Sequence, residues 1–157
     1  DPNALFALTM SIGMLADYTS ILEKRQFESL RYIREAERHA KDLLVVRPDS
    51  ADAYLALGAA NYIIGCLPTH TRFFLWFGGI HGDKLRGMQQ LQMAAERGHY
   101  LAPFAKTLLA LAALREKQYA VARANFQALV AEFPQNPLFT RELAKLDHPV
   151  AGAGSGP

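Results

Sequence analysis

The sequence predicts an all-α protein of about seven or eight helices stacked in antiparallel pairs. Three observations predict it. Apolar residues recur at three- and four-residue spacing through almost every segment, which is the period of one helix face. Nowhere do they alternate at period two for long enough to build a strand. Gly, Pro, Asp and Asn signals cut the chain into units of helical length joined mostly by short connections.

The elements follow in order. Asp1-Pro2 reads as an N-cap with proline at the first helical position, and Leu5, Leu8, Ile12, Leu15, Ile21 and Leu22 carry a helix to about Lys24. A second helix runs from about Gln26 to Val46 on Phe27, Leu30, Ile33, Ala36, Ala40, Leu43 and Leu44, with Pro48 as its stop. Asp49 and Ser50 offer N-caps for a third helix over Ala51 to Gly65. A short aromatic stretch, Arg72 to Phe77, precedes a glycine-dense loop over Gly78 to Gly82. Asp83 caps a helix to Arg97, with Gly98 as its C-terminal glycine. Leu101 to Arg115 and Gln118 to Phe133 are two more helices, and Asn136-Pro137 starts a last one to about Leu146. These elements make one domain over 1–148. The tail, 149–157, has no side chain that could anchor it and reads as disordered.

Composition narrows the function. Half of the 157 residues are hydrophobic and a fifth are charged, an ordinary globular balance. A net charge of +2 is far below the basic excess of a nucleic-acid binder. The lone Cys66 allows no intramolecular disulfide. No apolar run reaches the ~18 residues of a membrane span. The opening at Asp1, without Met, reads as a mature or trimmed fragment.

A repeat underlies the pairs. Tyr54, Leu57-Gly58 and Tyr62 lie on one helix. Ala36, Ala40 and Pro48 lie on the helix before it, and Leu109-Ala110, Tyr119, Ala122, Phe126, Leu129 and Pro134 repeat the pattern later. Gly87, Leu91 and Ala94 supply the small-large-small positions of the middle unit. Small residues let two helices approach, and large ones fill the space beside them. This pattern resembles the tetratricopeptide repeat (TPR) over roughly Glu35 to Leu146, and specifically bacterial TPR-like proteins. The resemblance departs in two places: the N-terminal helices are too long, and about seventeen residues intervene between Gly65 and Asp83. It implies a right-handed solenoid that scaffolds protein complexes. It also implies a groove lined by Asp52, Leu55, Ala59 and Tyr62 in one repeat and by Phe104, Thr107, Leu111 and Leu114 in another. Bacterial proteins of this type are often exported, which leans the address towards the periplasm or cell envelope, with the cytoplasm as the other reading.

The insert holds Phe73, Phe74, Leu75, Trp76 and Phe77 in succession. A helix of such residues has no polar face. It is expected to fold back as a plug or cover, the ordinary fate of large apolar side chains. The other readings are a partner-binding or dimer-forming patch, and contact with a membrane surface.

Other features read blandly. Arg31, Arg34, Arg38 and Lys41 form a stripe interleaved with Glu35 and Glu37, a solvated face with pairs such as Glu37 to Lys41. His70, His81 and Asp83 flank the insert without zinc-ligand spacing, so no metal and no cofactor is expected. Gly78 to Lys84 lacks phosphate-loop spacing and follows no strand. No nucleophile motif is present, and Cys66 has no histidine near it in sequence. The expectation is a non-enzymatic scaffold for a protein or peptide partner. The alternatives are an apolar-ligand or membrane-surface module using Phe73 to Phe77, and an enzyme built around His70, His81 and Asp83.

Overall fold

A computed structural model describes residues 1–21 and 26–147, with side chains described outside 17–27. Among the described residues there are eight helices and no strand. They are α1 (Pro2–Ile21), α2 (Gln26–Val46), α3 (Ala53–Gly65), α4 (Thr69–Phe77), α5 (Lys84–Arg97), α6 (Ala102–Arg115), α7 (Tyr119–Glu132) and α8 (Pro137–Asp147). The all-α class is the one the periodicity predicts. The chain divides into two compact units, Asp1–Ala105 and Lys106–Pro157, with the break inside α6, where the sequence predicts a single domain. The expected tail, 149–157, lies outside the described residues.

Local chemistry sets three helix starts, those of α1, α5 and α8. The Asn3 N–H donates to Asp1 Oδ1 at 2.9 Å, Arg86 N–H to Asp83 Oδ1 at 3.0 Å, and Leu138 N–H to Asn136 Oδ1 at 3.0 Å. Each removes one of the orphan donors of a first turn. α3, α4 and α7 start without a side-chain cap, and α3 also starts late. α3 begins at Ala53, two residues later than predicted, and the Ser50 backbone carbonyl accepts the Ala53 N–H at 3.0 Å.

In the first unit α1 packs on α2, α2 on α3, and α3 on α5. Ser29 Oγ donates to the Ala16 carbonyl at 3.0 Å, and Arg47 reaches Asn3 Oδ1 at 3.4 Å, so α1 and α2 run antiparallel. Their core with α3 is Ala40, Leu43, Ala53 and Leu57, covered by Leu5, Phe6, Leu44 and Tyr54. α3 and α5 touch backbone to backbone. A Cβ on Gly58 would lie 2.8 Å from Leu91 N, and one on Gly87 would lie 2.5 Å from Tyr62 N. Asn61 Nδ2 donates to the buried Gln90 Oε1 across this pair at 2.8 Å.

The second unit centres on Ala110, Phe126 and Leu129, with Leu114, Phe139, Leu143 and Leu146 packed against them. Lys106 pairs with Glu132, and Arg123 with Asp147. The turn after α6 puts Lys117 at φ 59°, with Lys117 N–H donating to Leu114 O and Gln118 N–H to Ala113 O. That is the Schellman arrangement, made here without glycine.

Candidate interaction surface

The insert between α3 and α5 is a knob on a closed neck. Gly82 closes the neck: a Cβ there would lie 2.5 Å from Gly65 N. From that neck α4 projects, and none of its nine residues is buried. Thr71 and Leu75, one turn apart, are its half-buried side. Phe73, Trp76 and Phe77 fall on the opposite face by helical spacing, with exposures of 57%, 58% and 70%, and Phe74 beside them is 73% exposed. The rings touch one another rather than a core. Phe73 meets Phe77 edge to face at 5.0 Å, and Trp76 meets Phe77 at 5.4 Å.

The expected plug is therefore corrected. Five successive apolar residues have no polar face, yet only Leu75 turns inward among them, because the neck offers α4 one shallow contact side. The helix ends in its own cap. Gly79 takes φ +72°, its N–H donates to Trp76 O at 2.9 Å, and Ile80 N–H donates to Leu75 O at 2.9 Å. This again is a Schellman motif, with Leu75 and Ile80 both half-buried as its apolar pair.

α6 offers a second apolar face. Ala105, Leu109, Ala110, Ala112 and Ala113 are buried on one side. Phe104 and Leu111, seven residues apart, are about half exposed on the other. Thr107 and Leu114 are half-buried. Of the residues expected to line a groove on α3, Ala59 and Tyr62 are half-buried, and Leu55 is buried.

Asp52 is not a groove residue in this structure. Its carboxylate is buried and accepts the N–H groups of His99, Tyr100 and Leu101 at 3.2, 3.2 and 2.9 Å. It thus serves the start of α6, and makes no side-chain cap on α3. Gly98 stands where that carboxylate needs room: a Cβ would lie 2.7 Å from Asp52 Oδ1. Its φ of −63° shows that space, and no left-handed turn, calls for glycine.

The charged stripe of α2 is solvated as expected. Arg31, Arg34, Glu35, Glu37, Arg38 and Lys41 line one shallow, open surface, and Lys41 Nζ lies 2.7 Å from Glu37 Oε1. Among the described residues no three His, Cys, Asp or Glu side chains converge as metal ligands would. The Asp83 carboxylate is engaged by Arg86 N–H, and His81 sits edge to face with Trp76 at 6.4 Å. Among the described residues no helix is long and apolar enough to cross a membrane.

Sequence reasoning missed two neighbours of the knob. Leu85 is exposed in the first turn of α5, and Arg34 Nη1 donates to the Gly78 carbonyl at 3.5 Å. Neither has a signal in its own spacing. No protein-family model, curated protein or solved structure matches this chain.

Proposed function

We propose that this chain is a non-enzymatic protein–protein interaction scaffold, a TPR-like stack of helix pairs that binds a protein or peptide along its first helices. The observation that carries the reading is α6. Its alanine-rich side is buried, and Phe104 and Leu111 remain half exposed opposite. An apolar stripe at seven-residue spacing on an accessible helix face suits an amphipathic helix or apolar peptide. The small positions that carry the TPR resemblance, Ala36, Ala40, Gly58, Gly87, Ala110 and Ala122, are all buried, as stacked pairs require. Site-specific photo-crosslinking in cells that make the protein tests it. A discrete protein adduct from positions 104 and 111, absent from the exposed position Arg141, is the expected result. Diffuse labelling at all three positions would remove the reading.

The exposure of the four rings on α4 favours a second reading, in which the knob is a contact element for an apolar phase.

A further inference from the structure

We propose that α4 seats in the interface of an anionic lipid bilayer, with Phe73, Trp76 and Phe77 turned into it and Arg72, Lys84 and Arg86 at the level of the lipid phosphates. The proposal rests on the second reading above, that α4 is a contact element, and is independent of what α6 binds.

The first argument is the direction of the side chains. α4 turns Thr71 and Leu75 towards the neck and three aromatic rings away from it. Amphipathic helices that lie in a bilayer interface present Trp, Phe and Leu in this way. The rings bring apolar bulk, and the hydrogen-bonding groups of that face are the Trp76 indole N–H and, at its N-terminal edge, the exposed Thr69 and His70. A wet-ended ring among apolar ones, with polar groups only at one edge, suits a fluid interface. It gives little to fix an orientation in a protein pocket.

The second argument is the backbone. A helix end can enter an apolar phase only if its polar groups are satisfied within the segment. Here Gly79 and Ile80 supply N–H groups to the carbonyls of Trp76 and Leu75. At the other end the Arg72 N–H makes the first i→i−4 bond, to the Pro68 carbonyl at 2.9 Å, and Pro68 gives no side-chain cap, so it is the C-terminal end that suits an apolar phase.

The third argument is charge. From Cys66 to Gly82 the chain has no acidic residue, and Arg72 lies within α4. Asp83 follows with its negative charge, and Lys84 and Arg86 close by in sequence outweigh it, so with Arg72 the local balance stays positive. Arg34 comes up to the Gly78 carbonyl from α2. The rim of the knob therefore favours an anionic surface over a neutral one.

Area weighs against a second copy of the chain. The four rings leave roughly 500 Å² uncovered at the areas usual for these side chains. A stable pair of proteins buries about 800 Å² on each partner.

The test uses the full chain and sedimented vesicles of phosphatidylcholine, with and without phosphatidylglycerol. Acrylamide quenching and emission of Trp76 are read alongside. We expect binding to the mixed vesicles, weaker binding to the neutral ones, and a blue shift of Trp76 on binding. Phe73→Ser with Phe77→Ser should lower partitioning about tenfold or more, and Arg72→Gln a few-fold. Both changes fall on exposed positions, so unchanged helical circular dichroism identifies loss of contact rather than loss of fold. A quenchable Trp76 with no vesicle binding overturns the lipid assignment and leaves the contact element standing. A dimer or a protein adduct formed through position 76 overturns it as well. A Trp76 shielded in the free monomer overturns both the proposal and the reading beneath it.

Discussion

The Asp52 carboxylate accepts the Leu101 N–H at 2.9 Å across forty-nine positions of sequence, and the His99 and Tyr100 amides share it. One buried side chain thus holds the α5–α6 corner to the start of α3. Ala at position 52 would leave these amides without their acceptor. We expect Asp52→Ala to cost about 2–3 kcal/mol and Asp52→Asn about half as much, because one carbonyl oxygen remains to accept. Urea unfolding midpoints with an unchanged slope check both.

The space around Gly87, in the α3–α5 contact, and around Gly13, in α1, predicts opposite outcomes for the two glycines. At Gly87 a methyl group would meet the Tyr62 backbone, and Gly87→Ala should destabilise by about 2–3 kcal/mol through forced separation of the pair. At Gly13 a Cβ would meet nothing within 4 Å, so Gly13→Ala should stabilise α1 by about 0.5–1 kcal/mol. Thermal unfolding of the two variants should move in opposite directions.

Lys117 occupies a left-handed conformation that glycine adopts without steric cost. Its side chain is exposed, and nothing in its backbone bonds requires a Cβ. Lys117→Gly should therefore raise stability by about 0.5–1 kcal/mol. An unchanged or lower melting temperature would show that the turn after α6 is held differently.

Phe126 is the largest fully buried side chain of the chain's described residues, at 1% exposure between Ala110 and Leu129. Phe126→Ala should cost about 3–5 kcal/mol. Leu111→Ser, on the exposed side of α6, should cost under about 1 kcal/mol and act on partner binding instead. Comparing the two by denaturation and by crosslinking yield separates the core of the second unit from its surface.

Much of this architecture is legible locally. Asp1, Asp83 and Asn136 announce their helices because a capping oxygen acts within three residues. The burial of Ala36, Ala40, Gly58 and Ala122 follows from periodicity and size. What escapes the sequence depends on long-range contact. The role of Asp52 needs partners more than forty residues away, and Gly98 is crowded by that carboxylate as well as by the local Ala94 carbonyl. The exposure of α4 is the sharpest case. Consecutive aromatics read as buried on several sides, whereas the Gly65–Gly82 neck holds the helix outside the core and covers only the Thr71 and Leu75 side.

That outward aromatic face is the centre of the account, and Trp76, the single tryptophan, reports on it directly. The measurement is acrylamide quenching and emission maximum of the monomeric chain. The account predicts a red-shifted, readily quenched indole. A blue-shifted indole that acrylamide does not reach would mean that the knob is packed against its own chain, and α4 would then be a structural cover.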